Sequence, residues 1–331
     1  MMSGNATAAI GSRQPPAISS KSYQLVSSFF MCTLIAFVII GNSLAIATYW
    51  KAVRFRVVSR CFIVNLAITD LLVGMVVMPI WLHYILRADN HINASFYKVW
   101  VTMDITCATA SICSLAVVSL DRYIIIREPL SYDQLLSKPR AGFLIFLIWF
   151  YALVIALLRL LRWSHYSLLV TGVSFILPLS IMLFAYVNIF KAAKIQAHRI
   201  RLSSLSDARE SRMSKKRFDI ELKATKTISI VIGAFLLCWV PFYLATILGR
   251  YCPETCNVSF ELVIIVKWLH YANSAVNPVI YAMHNREFRA VLRSIWCGES
   301  NGHALKSTEN SSQRITAKST SRLVSSSVTR V

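Results

Sequence analysis

Charge is scarce in this sequence. Asp, Glu, Lys and Arg make up only 15% of its 331 residues, against about 25% in a soluble domain. Acids are the scarcer sign, 15 against 35 Lys and Arg, for a formal net charge of +20. There is no HExxH and no phosphate-cradling glycine loop, and His, Cys and Asp are scattered singly, so hydrolytic, phosphoryl-transfer and zinc chemistry have no constellation to work with. No internal repeat is visible, which argues against a transporter built from inverted halves. Residues 1–22 hold no apolar core, so no cleaved signal peptide is expected and the first apolar run serves as its own insertion signal.

Apolar residues fill the space, at 56% of the chain. Seven runs, at roughly 23–50, 59–86, 96–126, 140–161, 164–195, 218–249 and 259–283, each reach the ~20 residues that span a bilayer. The expected fold is therefore an all-α membrane protein: a polar N-terminal tail over 1–22, a seven-helix bundle over 23–283, a short amphipathic helix over 284–297 and a Ser/Thr-rich tail over 298–331 with the composition of disorder. Of the 35 Lys and Arg, 27 fall in 51–60, 122–140, 191–226 and 286–330. If the spans alternate, these all lie on one side, which the positive-inside rule makes cytoplasmic, with the N-terminus outside. Topology thus accounts for the basic charge without nucleic-acid binding, and the basic loops sit against anionic inner-leaflet lipid. The connection near 196–216 reads as a short basic loop.

Asn5, Asn93 and Asn257 begin glycosylation triplets on the outer side. Asn310 begins one inside, which should be silent. Cys32, Cys61, Cys107, Cys113 and Cys238 fall in spans and read as packing residues. Cys252 and Cys256 share the outer loop CPETC, where a local disulfide is expected. Cys297 ends the amphipathic segment and is a palmitoylation candidate; a free interfacial thiol is the alternative.

Only Asp70 and Asp104 place acids well inside a span, and intramembrane charge defaults to function. Asp104 precedes Arg122 by 18 residues, five turns and about 27 Å along one face. Asp70 has small and amide residues to cluster with: Asn42, Ser111, Asn273, Ser274 and Asn277. One acid among neutral oxygens suits a small hard cation or ordered water; interhelical hydrogen bonding is the plainer reading. Phe235, Trp239 and Phe242 recur on one face beside Pro241, which kinks its helix, as Pro278 kinks the last span.

Taken in order, Asn42 in GN, Asp70 in NLAITD, Asp121-Arg122-Tyr123, Trp149, Pro178 with Tyr186, CWVP at 238–241 and Asn277-Pro278-Val279-Ile280-Tyr281 resemble the rhodopsin-like (class A) G-protein-coupled receptors over about 22–297. The resemblance implies that Arg122 engages a G protein when active and pairs with Glu221 when inactive. Asp70, Ser111, Asn273 and Asn277 correspond to that family's sodium site. Pro178, Ile112 and Phe235 correspond to its connector beneath the pocket, with Trp239 above, and Tyr186 and Tyr281 to tyrosines that swing inward on activation. Receptor kinases and arrestin would act on the tail. Within the family, Asp104, Trp268 and Tyr271 are similar to the amine receptors, whose acid pairs with the ligand ammonium. Phe242 and Tyr243 add aromatic faces, and Thr171 and Ser174 stand where catecholamine receptors place hydroxyl-binding serines. A carboxylate in an aromatic cage suits a small cation.

Two features depart from the family. The position of its usual disulfide cysteine in span three is Tyr97, and residues 150–178 contain no cysteine. Trp149 and Pro178 are only 29 residues apart, so almost no second outer loop remains. Melanocortin and some lipid receptors share these traits, which keeps a peptide or lipid ligand, or an orphan constitutive role, as the alternative to an amine. The second departure is Lys267, one turn above Tyr271 on the same face. It either pairs internally with Asp104, in competition with a ligand amine, or snorkels to the outer headgroups. An opsin would need its lysine at Tyr271. His270 is either a packed histidine or a pH-sensitive pocket group.

Overall fold

The computed structural model describes residues 21–51, 57–86, 93–128, 131–161, 163–203, 208–252, 258–284 and 286–296. Asn5, Cys256, Asn257, Cys297 and the 298–331 tail lie outside the described residues, as does the side chain of Glu221. Among the described residues eight longer helices follow in order, with a one-turn helix Tyr132–Leu135 between the third and fourth: α1 (Lys21–Lys51), α2 (Val57–Leu86), α3 (Ala94–Arg127), α4 (Lys138–Leu161, its last turn tightened to 3₁₀), α5 (Tyr166–Val170 and on to Leu177–Ser203), α6 (Ala208–Tyr251), α7 (Phe260–His284) and α8 (Arg286–Trp296). Successive helices pack as neighbours and α7 closes the ring onto α1, with α3 touching α2, α4 and α5 at the centre.

Helices α1 to α6 are long and apolar enough to cross a membrane. Helix α7 has 25 residues, about 37 Å, and is long enough, but its inward face holds Lys267, His270, Asn273, Ser274 and Asn277, all buried. Large apolar side chains such as Phe143, Phe146, Phe150, Leu237 and Leu244 are exposed on the outside, as a lipid-facing surface requires. Hydroxyls on that outer surface are satisfied within their own helices: Thr33 donates to Phe29 O at 2.8 Å, Thr102 to Lys98 O at 2.9 Å and Ser180 to Ile176 O at 2.8 Å, the back-bonding that lets small polar residues enter lipid.

Helices α2 and α5 each contain one π-helical turn, Val73–Val77 and Thr171–Ile176. Such a turn lengthens the backbone hydrogen bond and frees a carbonyl. Each turn has a carbonyl taken by an aromatic donor from a neighbouring helix. Trp100 Nε1 of α3 donates to Val77 O at 3.2 Å, and Tyr151 OH of α4 to Val173 O at 2.8 Å. Tyr166 OH returns the link between α5 and α4 by donating to Ile155 O at 2.9 Å. These bonds fix the outer ends of α4 and α5 where the chain has only residues 162–165 to join them.

The described parts of the stretch near 196–216 are helical, where the sequence reading expects a loop. Helix α5 runs to Ser203 and α6 starts at Ala208, because Ala, Lys, Arg, Glu and Gln are good helix formers and both helices continue past the apolar core into water. Helix α1 is held close to α7 by size. A Cβ at Gly41 would stand 3.0 Å from Cγ and 3.1 Å from Cβ of Pro278, and beside it Asn42 Nδ2 donates across to Ser274 O at 3.0 Å. Gly41→Val is therefore expected to cost about 1–3 kcal/mol by overpacking. It should lower melting temperature in detergent and surface expression, while Gly233→Val, where a Cβ meets nothing within 4 Å, leaves both nearly unchanged.

Candidate functional site

Three polar constellations line the inward face of the bundle. The outermost is an ion pair. Asp104 of α3 and Lys267 of α7 are 5% and 6% exposed, and Lys267 Nζ donates to Asp104 Oδ2 at 2.5 Å. Lys267 does not snorkel outward. Its ammonium lies over four rings: Phe242 at 5.0 Å, Tyr271 at 5.3 Å, Trp81 at 5.6 Å and Trp100 at 6.0 Å from the ring centres. Cation–π attraction is strongest where, as here, water is excluded. Asp104 Oδ1 has no hydrogen-bond partner among the described residues, nor have Trp81 Nε1, Trp239 Nε1, Trp268 Nε1, Tyr271 OH or His270 Nδ1.

Beside Asp104 opens a cavity of about 490 Å³, including its mouth, walled by α3, α5, α6 and α7. Asp104, Thr171, Trp239, Phe242 and Tyr243 line it, as the sequence reading places them. Tyr271 stands beneath Lys267, and His270 is sandwiched against Trp239 at 4.3 Å and Phe242 at 4.7 Å. Four expected ligand contacts are absent from the cavity wall: Lys267, which meets the cavity through its partner Asp104, Tyr271 beneath it, Trp268 and Ser174. Trp268 turns toward α1 and packs on Phe30 at 4.7 Å. Ser174 is fully buried against α3, accepting from Thr109 Oγ1 at 3.2 Å, and is absent from the cavity wall. It sits inside the π-turn, whose extra residue changes the facing of neighbouring side chains, and no sequence pattern announces that turn. Tyr166, Ser167, Val170 and Thr246 line the cavity unanticipated. The near-absence of a second outer loop was the available signal, because it brings the first turn of α5 down to the mouth.

The second constellation surrounds Asp70, which is fully buried. Asn277 Nδ2 donates to Oδ2 at 2.8 Å and Ser111 Oγ to Oδ1 at 3.3 Å, with Ser274 alongside. Asn273 is buried nearby in sequence but no contact to Asp70 places it in the set. A carboxylate held by neutral donors, with hydroxyl oxygens close, is the donor chemistry of a hard monovalent cation rather than of zinc. Among the described residues no three His, Cys, Asp or Glu gather as a metal cluster. Between these levels Phe235 and Ile112 pack in one buried cluster with Trp239, beside the buried Pro178. A chain of bonds from Trp149 Nε1 to Asn65 Oδ1 at 2.9 Å, and from Asn65 Nδ2 to Ser114 Oγ at 2.8 Å, ties α4, α2 and α3.

The third constellation is at the inner end. Asp121 accepts from Tyr132 OH at 2.6 Å and from Ser59 Oγ at 2.8 Å, and Arg122 Nε lies 3.9 Å from Asp121 Oδ2. Tyr132 and Ser59 were not foreseen; Tyr132 comes from the short turn Tyr132–Leu135, far from any motif. Tyr123 packs edge-on to Phe184 at 5.8 Å and accepts from Arg127. Tyr186 is part-buried against the cluster that holds Phe235, and Tyr281 packs edge-on to Tyr49 at 5.8 Å. Cys252 is disulfide-bonded, and the five span cysteines are free. Asn93 is exposed and caps α3, its Oδ1 accepting from Ser95 N at 2.8 Å. Helix α8 lies against α1 and α7, with Phe288 buried between Tyr49 and Tyr281.

A ring of spanning helices with a polar core, an outer cavity and an inner Asp-Arg-Tyr end defines a membrane receptor. The chain matches the 7 transmembrane receptor (rhodopsin family) over residues 41–281, and it belongs to that family of G-protein-coupled receptors. It is 32% identical to the histamine H2 receptor of Homo sapiens, over 89% of this chain and 87% of that protein. To the histamine H2 receptor of Rattus norvegicus it is 33% identical, over 84% and 81%. To the alpha-1A adrenergic receptor of Homo sapiens it is 29% identical, over 89% and 72%. The protein is thus a multi-pass membrane receptor and not an enzyme.

The ion pair predicts its own energetics. Removing one partner leaves an uncompensated buried charge, at a cost of about 3–5 kcal/mol. Lys267→Met should therefore lower the melting temperature of the purified receptor strongly. The double variant Asp104→Asn with Lys267→Met should recover most of the loss, so a double-mutant cycle reads a large coupling between the two sites.

Proposed function

We propose that this receptor sits in the plasma membrane with its N-terminus outside, takes a small ammonium-bearing ligand of biogenic-amine type in the Asp104 cavity, and activates heterotrimeric G proteins. One observation carries the reading: a buried carboxylate on the cavity wall keeps one oxygen without a partner, among aromatic rings whose faces favour a cation. The relatives support it, being named for histamine and adrenergic ligands. Trp239, Phe242 and Tyr243 would pack the ligand's ring, and Thr171 offers a hydroxyl oxygen at the far wall. Arg122 would leave Asp121 to meet the G protein, while the Ser/Thr-rich tail would be the substrate of receptor kinases and the docking site of arrestin. A peptide ligand is the second reading, favoured by the connection of only residues 162–165 over the mouth.

Cells expressing the receptor and challenged with biogenic amines should give a cyclic-nucleotide or calcium response. Asp104→Asn should weaken potency by about 100-fold or more, the scale of losing a buried charge-assisted contact. An amine response indifferent to Asp104→Asn would overturn this assignment, and a response confined to peptides would favour the second reading.

A sodium ion at Asp70, with Ser111, Ser274 and Asn277 around it, belongs to the same proposal. Sodium that binds one conformational state better must shift agonist affinity by that differential. Raising sodium at constant ionic strength, with a larger organic cation as balance, should reduce agonist affinity about 5- to 150-fold. Asp70→Asn should abolish the effect.

A further inference from the structure

The charges buried around the outer cavity do not suit a simple amine. Of the buried charged side chains, Asp104 and Lys267 face each other, and Arg159 stands near Tyr97 and Tyr166 with contacts of its own. The Asp104–Lys267 unit is therefore neutral before any ligand arrives. A monocation then has two ways in. It can share Asp104 through the unpartnered Oδ1, which leaves one positive charge in excess. It can displace Lys267, which leaves the same excess on the lysine, inside a cage of four rings. Either route buries an uncompensated charge, the most costly arrangement a dry site offers.

The hydrogen-bonding inventory points the same way. Lys267 donates one of its three N–H groups to Asp104, and no other hydrogen bond of it is found among the described residues. Trp81 Nε1 and Tyr271 OH, on two of the rings that flank its ammonium, have no partner, and neither has Trp239 Nε1 on the cavity wall. Against these donors stand the unpartnered carboxylate oxygen Asp104 Oδ1 and the ring nitrogen His270 Nδ1 on the cavity wall, and Tyr271 OH can also accept. The site is richer in unused donors than in acceptors, so it is incomplete without an acceptor that a bare ammonium does not bring.

We infer that the ligand is a zwitterion, an ammonium and a carboxylate on the same carbon, whose ammonium meets Asp104 and whose carboxylate meets Lys267. This rests on the ammonium assignment above and adds the anion to it. Such a ligand exchanges one ion pair for two and leaves the cavity neutral. Its side chain then extends between Phe242, Tyr243 and Tyr166 toward Thr171, which favours an aromatic amino acid or a close derivative. Lys267 becomes the residue that decides specificity against plain amines.

The test uses the full-length receptor, read by melting temperature in detergent and by signalling in cells. Tryptophan, histidine and phenylalanine are each compared with the decarboxylated amine, the methyl ester and the N-acetyl acid. For at least one side chain the zwitterion should be favoured, with ester, amine and N-acetyl acid each weaker by about 100-fold. Lys267→Gln should reverse the preference toward ester and amine, and Lys267→Arg should keep it, which a merely structural role would not produce. A wild-type receptor that takes the amine as well as or better than the zwitterion, at a ratio unmoved by Lys267→Gln, overturns the inference. The ammonium assignment then survives if Asp104→Asn abolishes the amine response. If neither zwitterions nor amines stabilise or activate the wild-type receptor, both fall.

Discussion

Opposite charges 2.5 Å apart between α3 and α7 organise the outer half of this receptor. Neither charge would be tolerated alone at that depth, since the cost of a buried ion is several kcal/mol after relaxation. Together they bridge the central helix to the one whose inward face is most polar. The surrounding rings follow from this pair. Trp81, Trp100, Phe242 and Tyr271 come from four helices, and each meets the same ammonium. A single lysine thereby converges α2, α3, α6 and α7 on one point. Any ligand that draws Lys267 away, or replaces its contact with Asp104, alters the register of all four at once.

Along α3 the polar residues form a ladder, from Asp104 through Ser111 to Asp121. Each rung is bound to a different combination of neighbours: α7 at the top, α2 and α7 at Asp70, and α2 with the inner turn at Asp121. Between the rungs lies apolar packing around Ile112, Phe235 and Trp239. Packed cores of this kind switch between discrete arrangements and do not bend continuously. The ladder therefore gives α3 fixed points, while α6 carries Pro241 inside it, where the backbone lacks one hydrogen-bond donor.

Most of this architecture could be read from the sequence because a bilayer leaves so few options. Twenty apolar residues must be a helix, and an acid inside one must face inward, so the sequence alone assigns Asp70 and Asp104 to the core. The pairing of Lys267 with Asp104 was one of two readings, and the choice depended on rotamer and enclosure, which spacing does not encode. Ser174 and Trp268 were misplaced for different physical reasons. Ser174 lies in a π-turn that shifts facing by one residue, while Trp268 follows Lys267 directly, and adjacent residues on a helix point about 100° apart. Once Lys267 faces inward, Trp268 must face α1. Tyr132 carries no motif of its own, and its hydroxyl reaches back to Asp121 only because the turn after α3 folds against that helix.

The two departures from the family pattern are physically connected. Where a disulfide would tether the outer end of α3, Tyr97 packs on Trp100 at 5.6 Å and on Tyr84 at 6.4 Å, and Trp100 stacks on Trp81 at 5.9 Å. This stack joins α2 to α3 at the same level as the ion pair, and two of its rings are walls of the Lys267 cage. Aromatic contacts of this geometry contribute about 0.5–1.5 kcal/mol each beyond burial, so several together take over a tether's task without a covalent bond. They also exclude water from the lysine, which strengthens its attraction to Asp104. A disulfide would hold α3 but offer no π-face to a cation. Replacing it with rings supplies both the tether and the dry surface on which an internal ammonium can be kept.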